Sequence, residues 1–244
     1  MKRFLINFSY DGSNYCGYQI QPNLDTIQGR LEEAVKKINN GVKKSVQSSG
    51  RTDKGVHALV QYAHVDLDIS ITPQKFKRAL NSNLPDDIHV IKTEMVDDNF
   101  HARYLVKAKE YKYYINLGEY NPIERNYVFQ YNYKLNVDAM VDAIKVFVGK
   151  HDFRAFVTEN VDKPNCVRTI SKATVEKNND KLVFTFKGDG FLRYQVRNMV
   201  GILIKVGENK LTSNDVENIL NSKDRSRCGT TAPSNGLFLT KVEY

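Results

Sequence analysis

A short segment bounded by glycines carries the most unusual chemistry of this sequence, because it crowds charges of both signs into a few residues. The segment is Gly50-Arg51-Thr52-Asp53-Lys54-Gly55-Val56-His57-Ala58. A carboxylate held among cations stays ionised, as a carboxylate nucleophile must be. Asp53 is therefore a candidate catalytic group. A plain tight turn, in which Asp53 caps its own backbone, is the alternative.

The composition is that of a folded, soluble protein. The 244 residues are 41% hydrophobic and 26% charged, with 14 Gly and 6 Pro, which excludes a disordered or fibrous chain. Lys and Arg number 36 against 28 Asp and Glu, so the net charge is +8. This excess fits a polyanionic partner such as nucleic acid, and it equally fits an ordinary cytosolic protein from a lysine-rich proteome.

Further patterns indicate location and cofactors. No apolar stretch approaches the ~18 residues of a membrane span, so we expect a cytoplasmic protein that binds no membrane. The cysteines are odd in number and far apart, which argues against a disulfide framework or a metal knuckle. The five histidines have no metal-ligand spacing, and no glycine-rich phosphate loop follows the first strand. We therefore expect neither a metal nor another cofactor.

The elements that must position the segment follow an order that occurs twice. Hydrophobic periodicity predicts β-α-β-β-α-β in the first half, at 3–10, 27–38, 43–48, 58–66, 72–84 and 88–96. The same order returns at 106–117, 137–148, 171–177, 181–187, 193–206 and 237–242, with an extra helix near 213–221. Asp25 with Gln28 predicts a capping box, and Ser213 is the predicted cap of the extra helix.

Two such units in tandem predict an α+β fold of two ferredoxin-like halves, residues 1–103 and 104–244. No flexible linker separates them, so we expect one mostly antiparallel sheet with helices on one face. The opposite face would then be free for a partner, as in RNA-recognition folds. A two-layer α+β domain without such a surface is the alternative.

Several separate motifs resemble, in the right order, those of the tRNA pseudouridine synthase A family. The segment of residues 50–58 is similar to the family's catalytic motif. The other matching motifs are Tyr10-Asp11-Gly12, Gln19-Ile20-Gln21-Pro22, Phe100-His101-Ala102-Arg103, Lys109-Glu110-Tyr111-Lys112-Tyr113, Gly190-Phe191-Leu192, Val196-Arg197-Asn198-Met199-Val200-Gly201 and Ala232-Pro233-Ser234-Asn235-Gly236-Leu237.

The resemblance implies a cofactor-free, homodimeric isomerase. It would convert uridine to pseudouridine at positions 38, 39 and 40 of the anticodon stem-loop of tRNAs. By position, Asp53 matches the catalytic aspartate, Arg197 the arginine that pairs with it, and Arg51 an arginine that helps to hold the base flipped out. Tyr111 matches the tyrosine that stacks on the target base. The remaining substrate-binding candidates are Lys109, His57 and Leu237.

The implied chemistry fits these residue types. Pseudouridine formation breaks the N1–C1′ bond, turns the uracil and rejoins it through C5. An ionised carboxylate could attack C1′ or C6, or remove a sugar proton to give a glycal, and the sequence does not choose. A base in a stem must be extruded, at a cost of a few kcal/mol, and then held by stacking. Arg197 lies in an otherwise apolar helix, so a buried guanidinium there needs a partner such as Asp53. The alternative is that Arg197 lies at the helix edge and extends its charged group into solvent.

Two other functions are compatible with this sequence. A noncatalytic RNA-binding module on the same sheet is one, although simple binding has no use for a buried carboxylate. A relative that modifies different uridines or other RNAs is the second. Three departures from the family pattern bear on tRNA selection, namely Lys54, Arg154 and Arg193.

Overall fold

The computed structural model describes residues 1–157 and 165–244. The chain is a mixed α+β protein whose strands pair mostly antiparallel. It divides into two compact units, the first made of residues 1–107 and 239–244 and the second of residues 108–238. Within the described ranges, every helix is too short or too polar to cross a membrane.

The first unit is built around one central strand. Its elements are β1 (Lys2–Tyr10), α1 (Ile27–Ile38), β2 (Gln47–Ser48), β3 (His57–Leu67), α2 (Pro73–Asn81) and β4 (Ile88–Val96). β1 pairs antiparallel with both β3 and β4, and the short β2 pairs antiparallel with β3. Alternation along β1 buries Phe4, Ile6 and Phe8 completely, and the ring of Phe4 packs edge-on against Phe76 of α2 at 5.0 Å.

The N-cap of the first helix lies one residue later than predicted. The side chain of Thr26, not Asp25, accepts a hydrogen bond from Gly29 N. Asp25 instead binds Arg30, with 2.8 Å between Oδ1 and Nε. Gln28 donates to Glu32, so the predicted capping box was wrong. Thr72, by contrast, caps α2 as its position before a proline predicts.

The second unit has a hairpin at its centre. Its elements are β5 (Ala108–Asn116), β6 (Phe129–Gln130), α3 (Val137–Ala143), β7 (Gly149–Asp152), β8 (Val167–Asn178), β9 (Lys181–Gly188), α4 (Gln195–Gly207) and α5 (Ser213–Ser222). β9 pairs antiparallel with β5 and β8, β7 is antiparallel to β8, and β6 is parallel to β5. The closing strand β10 (Leu237–Glu243) starts in this unit, and its residues from Leu239 onward belong to the first.

Three features of the second unit differ from the sequence-based expectation. α3 ends at Ala143 and continues as a 3₁₀ turn over Ile144–Phe147, so the α-helix is shorter than predicted. Thr212, not Ser213, caps α5 and forms a capping box with Asp215. The short strands β6 and β7 were not predicted.

Candidate active site

The loop that joins β2 to β3 carries Asp53 and is held through its backbone. Tyr18 N donates to the carbonyl of Thr52 at 3.1 Å, and Gly55 N donates to the carbonyl of Tyr15 at 3.4 Å. Val56 N donates to the carbonyl of Asp53 at 3.2 Å and closes a turn. Asp53 is half-buried in this loop, so its backbone is fixed while its side chain is still partly accessible.

The charged neighbours of Asp53 in the sequence face solvent. Arg51 and Lys54 are both exposed. Gly55 has a φ of +75°, a conformation that glycine adopts without the steric cost of a side chain. The backbone of this segment therefore does form a turn, closed by Val56 N, and the turn presents a carboxylate flanked in sequence by two exposed cations. A turn and a reactive loop are compatible at this position.

A buried hydrogen bond of Thr52 also holds this loop in place. Its hydroxyl lies 2.8 Å from the hydroxyl of Tyr10 at the end of β1, and both side chains are buried. Burial raises the pKa of Tyr10 to about 12, although the hydrogen bond to Thr52 opposes the shift. Tyr10 thus stays a neutral hydroxyl at physiological pH and fixes the residue before Asp53.

Two glycines of the loop after β1 allow that loop to pack on the backbone next to Asp53. A β-carbon at Gly12 would lie 2.0 Å from the carbonyl oxygen of Val56. Gly17 has a φ of +98°, and a β-carbon there would lie 3.0 Å from the carbonyl oxygen of Thr52. Because a larger residue would push the two loops apart, these glycines are part of what positions Asp53.

His57 links the two loops and is almost completely buried, at 1% exposure. Its Nδ1 accepts a hydrogen bond from Gly12 N at 3.1 Å and lies 3.0 Å from Oδ1 of Asp11. These contacts suit a group that orients the Asp53 loop.

The other side of the loop depends on a glutamine that sequence reasoning missed. Gln61 of β3 is fully buried, and its Nε2 donates to the carbonyl of Gly50 at 3.0 Å. Its Oε1 accepts from the hydroxyl of Ser49, and the hydroxyl of Ser48 donates to the same Gly50 carbonyl at 2.8 Å. A glutamine within a predicted strand was the available signal, since a buried amide needs hydrogen-bond partners.

Tyr111 lies in β5 of the second unit and is 8% exposed. Phe186 of β9 is its partner in the strand register. The ring of Phe191 packs edge-to-face against it, with 5.2 Å between centroids. These contacts hold the aromatic ring of Tyr111 in one orientation.

Arg197 is half-buried near the start of α4. Its Nε donates to the carbonyl of Ala232 at 2.8 Å, and its guanidinium lies 4.9 Å from the ring centroid of Tyr194. Tyr194 has a φ of +63°, which is rare for an aromatic residue. Arg193 lies 5.1 Å from the centroid of the same ring.

The segment around Ala232, whose carbonyl accepts from Arg197, is held in two ways. The backbone of α4 lies close to it, and a buried amide binds it. A β-carbon at Gly201 of α4 would lie 2.0 Å from the carbonyl oxygen of Thr230. Asn198, fully buried, donates to the carbonyl of Phe156 at 2.8 Å and accepts from the hydroxyl of Thr231 at 2.6 Å. Asn198 was not a sequence-based candidate, although an amide in an apolar helix is a usable signal.

The predicted site residues are divided between the units. Lys109 is half-buried in β5, and Leu237 is buried at the start of β10. Among the described residues, no three His, Cys, Asp or Glu side chains are grouped as metal ligands would be. The first unit holds Asp53, Arg51 and His57, and the second holds Tyr111, Lys109, Arg197 and Leu237.

Comparison with known proteins identifies the class. The family model described as tRNA pseudouridine synthase matches residues 6–105 and 143–244, which is most of the chain. The chain therefore belongs to the tRNA pseudouridine synthase family. It is an isomerase, and its reaction is the conversion of uridine to pseudouridine in tRNA.

Curated relatives match over the full length. A protein of Limosilactobacillus reuteri (strain DSM 20016) named tRNA pseudouridine synthase A is 43% identical, over 100% of this chain and 97% of its own. Proteins with the same name from Streptococcus mutans and a Geobacillus species are 43% and 42% identical, covering 99% and 98% of their own lengths. A solved Cbf5-Nop10-Gar1 complex aligns with 14% identity and a TM-score of 0.35, over 82% of this chain and 54% of that one, which is too weak to bear on the fold.

Proposed function

We propose that this chain forms pseudouridine at positions 38, 39 and 40 of the tRNA anticodon stem-loop, with Asp53 as the ionised carboxylate that starts the reaction. The observation that carries the assignment of Asp53 is the way its loop is held. Three backbone hydrogen bonds, the buried Tyr10–Thr52 pair and the close approach of Gly12 fix its main chain. A catalytic group needs this kind of preorganisation, whereas an ordinary surface turn does not.

The roles of the other residues in this proposal follow the reaction. The target base must leave its stem, which costs a few kcal/mol and requires a surface that holds it outside. Tyr111 stacks on the extruded base, and the packing of Phe191 against its ring supports a fixed orientation. Arg51, exposed beside Asp53, helps to keep the base flipped out.

Arg197 is the cation that pairs with Asp53 in this proposal. Its contact with the Ala232 carbonyl uses Nε, and the guanidinium has further N–H groups for a carboxylate. A lysine would offer only a point charge at the same position. This capacity for several directed hydrogen bonds supports the assignment of an arginine to the role.

Three residues complete the substrate-binding set. Lys109 lies two residues before Tyr111 on β5 and supplies a positive charge for a phosphate. Leu237 offers an apolar contact. His57 acts on the substrate through the Asp53 loop, since it is buried between the two loops of the first unit.

The finer architecture belongs to the same proposal. We infer two tandem ferredoxin-like halves, residues 1–103 and 104–244, with the helices on one face. The pairing of β1 with both β3 and β4, and of β2 with β3, supports this topology in the first unit. In the second, the position of β9 between β5 and β8 supports it.

We infer further that the enzyme is a cytoplasmic homodimer. A tRNA anticodon arm is large compared with the loops of one 28.0 kDa chain, so a second subunit would complete the binding surface. Light scattering at micromolar concentration should give about twice the mass of one chain. A monomer that keeps full activity on dilution would exclude the dimer.

The test of the function is Asp53→Asn with unmodified tRNA transcripts, mapped for pseudouridine by carbodiimide-dependent primer extension. The parent should modify positions 38 to 40, and Asp53→Asn should fold, bind tRNA as the parent does and form essentially no product. Asp86→Asn, at an exposed loop aspartate, is the matched control and should be fully active. Turnover by Asp53→Asn would overturn the mechanism, and product only outside the anticodon arm would overturn the site selection.

A further inference from the structure

Tyr104 is unusual among the tyrosines because its ring is both highly exposed and stacked on another ring. The residue is 76% exposed. Its ring lies on that of His101, with 4.1 Å between centroids and 29° between planes. It follows directly after the motif Phe100-His101-Ala102-Arg103, for which neither the reaction nor the Asp53 loop provides a use.

Hydrogen bonds fix the histidine beneath Tyr104. Nδ1 of His101 accepts from the backbone N–H of Arg103 at 3.1 Å and of Tyr104 at 3.4 Å. Its Nε2 is within hydrogen-bond distance of Oε1 of Gln47, at 3.0 Å. Because both ring nitrogens have hydrogen-bond partners on different sides, the plane of the His101 ring is fixed.

A second histidine supports the first from inside the unit. The ring of His64 meets His101 edge-on at 4.7 Å. His64 is 4% exposed, and its Nδ1 accepts from Ala102 N at 3.2 Å. The turn itself is closed by Leu105 N, which donates to the carbonyl of His101 at 3.2 Å. Tyr104, His101 and His64 thus form a column of three rings in contact, and Tyr104 is its outermost ring.

The charges around this column indicate what could cover it. Arg103 and Lys107, on either side of Tyr104 in the chain, are both exposed. A flat π-face next to cations is the combination that holds an unpaired nucleotide, with the base on the ring and the phosphate on the cation. A second copy of this +8 chain would instead bring further positive charge to the same surface.

We propose that Tyr104 is a stacking platform for an unpaired nucleotide of the tRNA, and that Arg103 contacts the adjacent phosphate. This rests on the proposed function for the identity of the RNA. The platform is distinct from Tyr111, which lies in the second unit and takes the target base in that function. Its role is to bind and orient the tRNA, so its loss should act on affinity more than on the chemical step.

The first experiment uses the absence of tryptophan from this sequence. Tyr104→Trp would carry the only tryptophan, and its emission should be quenched when unmodified tRNA transcript is added, because a base stacks on the indole. Tyr133→Trp is the matched control, since Tyr133 is also 71% exposed, and its emission should not change. Unchanged emission from Tyr104→Trp would overturn the proposal. So would emission that depends on protein concentration without RNA, because that outcome identifies a second copy as the occupant.

The second experiment measures the dissociation constant of the tRNA transcript and the steady-state kinetics. Tyr104→Ala should raise Kd by about 5- to 150-fold, the range expected for one stacked base, and should raise KM with little change in kcat. Tyr104→Phe should restore binding, because it keeps the ring. An equal loss in Tyr104→Ala and Tyr133→Ala, or no rescue by Tyr104→Phe, would overturn the platform.

These binding readouts separate the two proposals. If the parent protein makes no pseudouridine at positions 38 to 40 while the Tyr104→Trp emission still falls with tRNA, the site selection fails and the platform stands. If product forms at those positions, but tRNA does not change the emission of Tyr104→Trp and Tyr104→Ala has the Kd of the parent, only the platform proposal fails.

Discussion

Gly12 lies so close to Val56 that a β-carbon on the glycine would be 2.0 Å from the valine carbonyl oxygen. The loop after β1 and the turn that carries Asp53 are therefore in backbone contact, and neither can move without the other. Gly12 N also donates to His57, the residue after Val56. The position of the candidate catalytic carboxylate is thus set partly by a glycine about 40 residues earlier in the chain.

Gly12→Ala should reduce kcat strongly, because the new methyl group pushes the Asp53 turn away. Overpacking of this kind costs about 1–3 kcal/mol of stability. Gly41→Ala is the control, since Gly41 has a φ of +82° and no atom within 4 Å of the place a new methyl group would take, so its cost is backbone strain alone. Urea denaturation should show that both variants are less stable than the parent. The assay of pseudouridine formation should show a lower kcat only in Gly12→Ala. Parent-like kcat in Gly12→Ala would contradict the coupling of the two loops.

Thr52→Val should destabilise the protein and slow the reaction, because it removes the buried partner of the Tyr10 hydroxyl. A buried polar group that loses its partner costs about 1–3 kcal/mol. Thr52→Ser keeps the hydroxyl and should stay close to the parent in both measurements. Equal stability of Thr52→Val and Thr52→Ser in urea denaturation would show that the Tyr10–Thr52 hydrogen bond contributes little.

Arg197→Lys should fold and bind tRNA but form pseudouridine more slowly. Lysine cannot bind the Ala232 carbonyl and a carboxylate with one planar group. Loss of a charged hydrogen bond, worth about 1.5–3 kcal/mol, corresponds to a fall in kcat of roughly 10- to 150-fold. Arg193→Lys is the comparison, because Arg193 is exposed and lies near the same Tyr194 ring. Equal effects of the two substitutions in single-turnover assays would remove the special role of Arg197.

The pH dependence of stability should depend on His64. Burial, and then the charge of Arg3, lowers the pKa of His64 from 6.5 to about 4. Between these values the unfolded chain binds a proton that the folded protein does not, so stability falls as the pH drops from 6.5 to 4. His64→Asn keeps an acceptor for Ala102 N and cannot titrate, so its Tm should fall less over this interval. Parallel Tm profiles of the two proteins would contradict the prediction.

Periodicity was sufficient to predict most of the elements. β4 was predicted at 88–96 and is observed as Ile88–Val96, and α1 was predicted from Ile27 to Ile38, as observed. The spacing of their apolar residues shows which face of each element is buried, and this spacing can be read from a short stretch of sequence. The caps of α1 and α5 were predicted one residue away from Thr26 and Thr212, because neighbouring Asp, Ser and Thr residues are all good caps and only the backbone conformation chooses between them.

Sequence alone also selected the loop of residues 50–58 and, through its motifs, the family. It could do so because clustered charges and spaced motifs are properties of the chain order. The contacts of Gly12 with Val56, of Gln61 with Gly50 and of His64 with Ala102 were decided only by the tertiary structure, as was the assignment of residues 239–244 to the first unit. Each joins residues far enough apart in sequence that no local period relates them. Their distances depend on strand register and packing, which form only when the whole unit folds.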